Sequence, residues 1–204
     1  MTRLRFGSVE LRPMRLCDRS AWVRLRKRNK SWLQPWEATI PGQASFELPF
    51  LSALLSYRSE WRADRMYAFV MLNARELVGQ VTIGGVSRGS ANTAYIGYWV
   101  SESQSGRGIT TIGVALATDF CFDQLGLNRV EINVRPENAR SIRVAEKLGF
   151  TKEGFRRQHL HINGQWRDHH LYALCKSDCP EGLVKRCKSL LESKPASLAA
   201  TRSQ

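Results

Sequence analysis

The stretch VSESQSGRGITT, residues 100–111, decides the fold because it joins an apolar strand to an apolar-periodic helix through a polar loop. A helix that begins directly after such a loop, here near Ile109, presents unpaired N–H groups and the positive end of its dipole. Gly106 and Gly108 carry no Cβ that would hold a diphosphate away, and Arg107 adds a cationic donor. The stretch alone leaves two interpretations open, a phosphate-binding loop and an ordinary glycine turn.

Apolar periodicity on both sides of this stretch predicts a mixed sheet covered by helices, a fold of the α/β (α+β) class. Seven strands are expected, over residues 8–14, 66–72, 76–86, 94–100, 129–134, 155–162 and 166–174. Helices are expected over residues 18–29, with Asp18 as the N-cap, and over 46–63, 109–125, 139–148 and 181–193. The segment SWLQPWEATIPGQAS between the first two helices is expected to be a loop.

The charge of the chain bears on its partners. Among 204 residues there are 31 Lys and Arg against 18 Asp and Glu, which gives a formal net charge of +13. This charge favours polyanionic partners, such as phosphate-bearing cofactors or RNA, and disfavours polycationic substrates. Many of the cations lie on the first predicted helix, whose polar face could equally be an ordinary solvated surface.

The chain is expected to form one domain over residues 1–176, followed by a short helix and a flexible tail over 177–204. Its apolar runs are shorter than the roughly 20 residues that cross a bilayer, which predicts a cytoplasmic protein without membrane contact. The five cysteines show no CxxC spacing, so we expect reduced thiols and no metal site. The sequence does not distinguish a monomer from a dimer.

A second segment, RPENARSIRVAEKLGF at residues 135–150, follows a predicted strand and opens a helix. Asn138 is placed to cap this helix, and Ser141 lies in its first turn. Taken alone, this is a common structural arrangement. It gains meaning from its position about thirty residues after the glycine loop.

Together and in this order, the two segments resemble the GCN5-related N-acetyltransferase (GNAT) family. SQSGRG is similar to the pyrophosphate loop Q/R-x-x-G-x-G/A of that family except at Ser103, and NARSIRVAEKLGF is similar to its pantetheine-binding helix. The resemblance covers residues 9–176. More narrowly, PWE at 35–37 and INGQWRDHHLYAL at 162–174 are similar to the RimJ type, which acetylates the N-terminal alanine of a ribosomal protein.

This resemblance implies a GNAT fold with about four flanking helices, a splay between the fourth and fifth strands, and acetyl-CoA as cosubstrate without a metal. Trp99, Val100 and Ser101 would pair their backbone with the pantetheine amides, and one of their N–H groups would stabilise the oxyanion on the thioester carbonyl. Asn138 would contact the pantetheine arm, and Ser141 would protonate the leaving thiolate. The diphosphate would be held by Gly106, Arg107, Gly108, Ile109 and Thr110.

The sequence leaves the general base open. Some N-terminal acetyltransferases carry a Glu five residues before the motif Asn, a position that is Asn133 here and could only order a water. Two alternatives are Glu131, on the same face of that strand, and Glu37, in the loop SWLQPWEATIPGQAS, called the Trp-rich segment below.

The hairpin predicted from strands 155–162 and 166–174 offers further candidates for the base, Asp168 and His169. Asn163-Gly164 predicts a two-residue type I′ turn, which would set His159 opposite Asp168. A His-Asp pair in this position is more often a structural hydrogen bond on an exposed sheet face.

The lack of an evident strong base favours an α-amine acceptor. An α-amine titrates near 7.7 to 8.0 and a lysine near 10.4, so at neutral pH the α-amine is neutral roughly several hundred times more often. We therefore expect acetyl transfer to an N-terminal amine, and the resemblance to the RimJ type implies that of a ribosomal protein. Trp32 and Trp36 would help to shape the acceptor groove, although two tryptophans beside prolines are as often part of a core beneath a loop. The alternatives are acetylation of a small amine such as an antibiotic or polyamine, and an RNA-binding or ribosome-binding module of the same fold.

Overall fold

The computed structural model describes residues 2–42 and 49–192, which form an eight-stranded sheet in the order β1-β2-β3-β4-β5-β6-β8-β7. The pairs are antiparallel except for β5 and β6, which run parallel. The strands are β1 (Leu4–Phe6), β2 (Val9–Pro13), β3 (Tyr67–Asn73), β4 (Glu76–Ser87), β5 (Thr93–Val100), β6 (Arg129–Val134), β7 (Thr151–Ile162) and β8 (Gln165–Cys175). The predicted class is confirmed. The additional strand is β1, whose three residues are too few to show an alternating pattern.

The helices within the described ranges are α1 (Arg19–Arg28), α2 (Lys30–Leu33), α3 (Phe50–Arg62), α4 (Ile109–Asp119), α5 (Ala139–Lys147) and α6 (Leu183–Glu192). The short helix α2 lies in the segment that was expected to be a loop. A π-helical turn, Phe120–Gln124, continues α4 to the predicted length. The expected start of α3 at residue 46 lies outside the described residues, and Pro49 is the N-cap of the helix.

β5 and β6 are in contact only where they begin. Their pairing runs from Thr93 with Arg129 to Tyr95 with Glu131, whereas β5 stays paired with β4 as far as Val100. The two parallel strands therefore separate towards their carboxyl ends. This is the splay that the resemblance implied, and the additional strand β1 shifts its numbering by one.

The two faces of the sheet are covered by different helices. On one face, Ile96, Ile132 and Val114 belong to a core that includes α4, α5 and α6. On the other face, Trp22 and Leu54 represent the smaller core beneath α1 and α3. Because side chains alternate along a strand, the residues that flank Ile132 in β6 point away from the larger core, towards the face that carries α1.

The last described helix belongs to the same core as the sheet. Leu183 and Cys187 are buried in it, and Asp119 at the end of α4 accepts the N–H groups of Leu183 at 2.6 Å and Val184 at 2.9 Å. The predicted domain end at residue 176 stays a prediction. The expected flexible tail falls largely on residues 193–204, which lie outside the described part of the chain.

All five cysteines are free thiols. In the described residues, no group of three or more His, Cys, Asp and Glu side chains could hold a metal ion. No helix in these residues has the length and apolar character needed to cross a membrane.

Asp18 occupies the N-cap position of α1 as predicted, but its side chain does not cap the helix. Its carboxylate accepts two N–H groups of Arg12 at 2.8 Å and the backbone N–H of Arg15 at 2.7 Å. Arg12 and Asp18 are both buried. Burial raises the pKa of Asp18, but the hydrogen bonds from Arg12 and Arg15 outweigh it and hold the pKa below its ordinary value.

Asp18→Asn is expected to lower the free energy of unfolding by about 3 kcal/mol at neutral pH, because the buried Arg12 charge loses its partner. The carboxylate pKa is depressed, so its contribution is present above the ordinary aspartate value near 3.9 and is lost as the pH falls through the folded value. Urea unfolding should therefore show that the free energies of unfolding of the parent protein and Asp18→Asn come closer as the pH is lowered from neutral to about pH 2. Asp123→Asn, at an exposed carboxylate, is the control. A difference that does not change with pH would contradict this account.

Candidate functional site

The splay opens into a cleft with a volume of about 200 Å³. Its walls come from α2 and the turn after it, the end of β5, the glycine loop with the start of α4, and α5. The structure thus brings the two sequence segments together. The predicted residues that line the cleft are Trp99, Val100, Gly106, Gly108, Thr110, Asn138 and Ser141.

The glycine loop gives the cleft an open helix N-terminus. Gly106 and Gly108 have φ angles of +78° and +80°, in the left-handed region that favours glycine. Gly108 is the N-cap of α4 and has no side chain that could accept a hydrogen bond from the first turn. Apart from its chain neighbours, a Cβ at either glycine would meet no atom of the described residues within 4 Å. Free N–H groups, the helix dipole and open space together suit an anion such as a diphosphate.

The other predicted residues of this loop lie outside the cleft lining. Arg107 is exposed, and Ile109 is buried in the larger core. Ser101 is buried, and its hydroxyl lies 2.9 Å from that of Ser103, the residue that departs from the family pattern. This hydrogen bond stabilises the turn between β5 and the loop.

Val100 offers its backbone to the splay. The N–H of Ser101 is not free, because it donates to the carbonyl of Val78 in β4 at 2.8 Å. Alternation along an antiparallel pair also directs the N–H of Trp99 towards β4 and that of Val100 towards β6. The carbonyl of Val100 follows the same direction and accepts the indole N–H of Trp32 at 3.1 Å. Among the three predicted donors, Val100 is therefore the one that faces the cleft.

The first turn of α5 carries the polar groups of the opposite wall. Asn138 is its N-cap, and Asn138 Oδ1 accepts the Ser141 N–H at 3.1 Å. The structural interpretation of Asn138 is thus correct, and the residue lines the cleft as well. The carbonyl of Ser141 accepts the hydroxyl of Tyr98 at 3.3 Å. Burial raises the pKa of Tyr98, so this hydroxyl stays protonated at neutral pH.

Three exposed cations on α5 lie at the rim of the cleft, and sequence reasoning did not assign them. They are Arg140, Arg143 and Lys147. Residues three and four apart share one face of a helix, so the spacing in RSIRVAEK could have revealed this basic face. The cations lie where they can attract the phosphates of a ligand that enters the cleft.

Trp32 connects the two sides of the cleft. Its indole N–H is bonded to Val100 of β5, and its ring lies beneath the guanidinium of Arg140 in α5, 4.7 Å from the ring centroid. Trp36 likewise lies beneath Arg135, at 5.0 Å. Both tryptophans are half-buried and line the cleft. They form a wall of the cleft and are not part of a closed core beneath a loop.

The candidate bases on β6 are already bound. Arg156 donates to Asn133 Oδ1 and to Glu131 Oε2, both at 3.2 Å. Glu131 also accepts a hydrogen bond from Arg129 at 3.0 Å. The predicted shared face of Glu131 and Asn133 is confirmed by their common partner. Glu131 is therefore held by two guanidinium groups, and its carboxylate is not free.

The expected pair of His159 with Asp168 does not form. Leu160 pairs with Arg167, but an irregularity in β7 then brings Arg156 opposite His169. The extra residues in β7 displace His159. Its ring instead packs against that of His169, with 5.6 Å between the ring centroids. Asp168 accepts the backbone N–H of Gln158 at 2.7 Å. The β-bulge, which the turn sequence does not encode, overturned the expected register.

His169 is buried, and its Nδ1 lies 3.0 Å from the carbonyl of Arg167. Burial lowers the pKa of His169. Burial also lowers the pKa of His159, and the nearby charge of Arg156 lowers it further. Both imidazoles are therefore neutral at neutral pH.

Glu37 is also engaged, since its carboxylate forms an ion pair with Arg26. Its carbonyl accepts the N–H of Asn163 at 2.9 Å, and the N–H of Thr39 donates to the carbonyl of His161 at 2.9 Å. These backbone bonds attach the Trp-rich segment to the β7–β8 hairpin. The segment that carries Trp36 therefore spans from the cleft to that hairpin.

A profile of the acetyltransferase (GNAT) domain matches residues 8–151. The chain belongs to the GNAT family. Among solved structures, RimJ of Mycobacterium smegmatis in complex with CoA-disulfide is similar to this protein with a TM-score of 0.85 and 36% identity, covering 93% of each chain. The probable N-acetyltransferase YjcK of Bacillus subtilis is 32% identical over 86% of this chain and 98% of its own length. The ribosomal protein uS5-alanine N-acetyltransferase of Escherichia coli is 29% identical over 81% of this chain and 87% of its own.

This GNAT protein is an N-acetyltransferase whose cosubstrate is acetyl-CoA. The cleft suits that molecule at both of its ends. The open N-terminus of α4 and the cations of α5 match its phosphates, and the side of the cleft lined by Tyr98, Trp99 and Val144 matches the methyl and methylene groups of the pantetheine arm.

Proposed function

We propose that this protein transfers the acetyl group of acetyl-CoA to the N-terminal α-amine of a protein, with the alanine of a ribosomal protein as the acceptor. The observation that carries this proposal is that the carboxylates considered as candidate bases are engaged. Glu37 and Glu131 are paired with arginines, and Asp168 accepts a backbone N–H. A site without a free carboxylate base suits an α-amine, which needs little help to lose its proton. An acceptor on the ribosome also implies a cytoplasmic protein.

The same carboxylates argue against the alternative of a polyamine or aminoglycoside acceptor. Such acceptors carry several positive charges and need unpaired carboxylates to replace the water around them. Here Arg26, Arg129 and Arg156 already neutralise the two glutamates. A strongly cationic acceptor would therefore meet a region with an excess of positive charge.

In the proposed reaction, the backbone of the glycine loop and the first turn of α4 hold the diphosphate, and Asn138 contacts the pantetheine arm. The N–H of Val100 donates to the acyl oxygen, where negative charge develops when the amine attacks. The C–N bond forms first and gives a tetrahedral oxyanion, whose collapse breaks the C–S bond and releases the thiolate, while the amine proton leaves through water. Asn133 is a candidate to order this water, because its amide lies on the acceptor face beside Arg156.

Ser141 is the proposed proton donor to the departing sulfur. Ser141→Ala is expected to lower kcat by about tenfold and to leave acetyl-CoA affinity unchanged, because a thiol of pKa near 8.5 needs only modest help with protonation. Tyr98→Phe, which removes the neighbouring hydroxyl, is the comparison. Steady-state kinetics of both variants would check this assignment. An unchanged kcat in Ser141→Ala, with a fall in Tyr98→Phe, would move the role to the tyrosine.

The function is tested in cells by comparing the N-terminal acetylation of ribosomal proteins with and without this protein. One ribosomal N-terminus, beginning with alanine, should lose its acetyl group when the protein is absent. Unchanged acetylation of every ribosomal N-terminus would contradict the proposal.

The basic surface of α1 supports a docking role in addition to catalysis. Arg19, Arg24, Lys27 and Arg28 are all exposed on this helix. We propose that they bring the enzyme to ribosomal RNA. Co-sedimentation with ribosomes should then fall steeply as salt is raised and should not require acetyl-CoA. Binding that does not respond to salt would contradict this role.

A further inference from the structure

Arg167 is a half-buried arginine whose guanidinium has no hydrogen bond or ion pair within the described residues. Its Nε is buried and has no hydrogen-bond partner in residues 2–42 and 49–192. An N–H group that is removed from water without an acceptor costs free energy, and the cost is larger when the group is charged. Such a group in a folded protein calls for an explanation.

The position of Arg167 connects it with the acceptor side of the cleft. It lies two residues before His169 in β8, so the two side chains share the face of the sheet that also carries His159 and Arg156. The pKa of Glu137 is lowered mainly by its own backbone N–H and by Arg135, and Arg167 adds to the effect. Arg167 therefore lies near the segment that leads from β6 into the cleft wall.

The carboxylates nearest to Arg167 are committed elsewhere. Glu137 pairs with Arg135 at 3.2 Å. Glu131 lies farther along the same face, opposite Ala173, and pairs with Arg156 at the same distance. Asp168, the adjacent residue, accepts the N–H of Gln158. Within the described part of the chain, the guanidinium of Arg167 therefore lies on this face without a carboxylate of its own.

We infer that Arg167 binds a carboxylate of the acceptor, an aspartate or glutamate side chain that follows the N-terminal residue within the first few positions. The inference rests on the proposed function and adds the chemical class of the acceptor to it. A guanidinium presents parallel N–H groups that match the two oxygens of a carboxylate. The contact gives Arg167 the acceptor that it lacks, and it selects acidic N-terminal sequences over neutral ones.

The sheet register shows why a peptide side chain suits this position. Tyr95 of β5 pairs with Glu131 of β6, and β6 pairs with β8. When this register is continued, Val100 and Arg167 lie at about the same level, just beyond the end of β6 at Val134. Two strand spacings of about 4.8 Å place them at least about 10 Å apart. An extended chain covers that distance in about three residues, whereas the α-carboxylate of a free amino acid stays beside its amine.

The test uses peptides that begin with alanine and carry glutamate at one position, moved stepwise along the chain, each paired with the glutamine version. For the intact protein, one position should raise kcat/KM by about tenfold for glutamate over glutamine. Arg167→Gln should lose this preference and keep its activity on the glutamine peptides. Arg157→Gln, at an exposed arginine of β7, is the matched control and should behave like the parent protein.

Equal activity on glutamate and glutamine peptides at every position would overturn the inference and leave the proposed function standing. So would a glutamate preference that survives in Arg167→Gln. Failure to acetylate any of the peptides would overturn both. Arg167→Lys keeps the charge without the paired donors and should retain only part of the preference, which tests the contact even if the glutamine variant is unstable.

Discussion

Gly108→Val is expected to weaken acetyl-CoA binding by about 100-fold, because it removes about two charge-assisted hydrogen bonds to the diphosphate. Gly108 has a φ of +80° and is the N-cap of α4. A valine side chain there would enter the open space beside the helix N-terminus, where a Cβ meets no atom of the described residues within 4 Å apart from its chain neighbours. Isothermal titration with acetyl-CoA measures the loss directly and does not depend on the acceptor.

The strain of the left-handed backbone needs its own control, since a β-branched residue in this region costs about 1–2 kcal/mol wherever it occurs. Gly89 provides this control. It is exposed in the turn between β4 and β5, and its φ is +73°. A Cβ at Gly89 also meets no atom of the described residues within 4 Å. Gly89→Val should lose stability as Gly108→Val does, but keep its affinity for acetyl-CoA. Equal affinities in the two variants would contradict a diphosphate site at Gly108.

Val100→Pro is expected to lower kcat by about 100-fold with little change in the affinity for acetyl-CoA, because it removes the proposed donor to the developing oxyanion. The N–H of Val100 faces the splay and makes no bond to β4, so the substitution breaks no hydrogen bond of the sheet. Stopped-time assays with saturating acetyl-CoA and peptide would measure kcat.

Val100→Ala is the control for this prediction, since it shortens the side chain and keeps the N–H. It should retain most of the activity of the parent protein. Thermal unfolding of both variants would show that the proline variant is folded. A folded Val100→Pro with normal kcat would show that another group stabilises the oxyanion.

The helices and strands that have strong apolar periodicity or clear turn residues could be predicted from the sequence. The helix that starts at Ile109 and the strand Arg129–Val134 were predicted at their observed starts. Two short elements, β1 and α2, were not predicted, because three or four residues carry too little pattern. The pairing with β2 stabilises β1, and the contact of Trp32 with Val100 stabilises α2.

The site was predictable where backbone conformation and spacing define it, as in the glycine loop and the N-cap at Asn138. It was not predictable where distant side chains compete for partners. The role of Trp32 depends on a carbonyl 68 residues away, and Arg156 removes Glu131 as a free base from another strand. The irregularity in β7 separates His159 from Asp168, although the Asn163-Gly164 turn itself forms where it was expected.

The central claim is tested most directly with purified protein, acetyl-CoA and a synthetic peptide that begins with alanine and contains one internal lysine. Mass spectrometry should show the gain of one acetyl group, and fragmentation should place it on the α-amine. The same peptide with a blocked N-terminus should gain none. Acetylation of the lysine alone, or turnover of spermidine with no reaction on the peptide, would contradict the account.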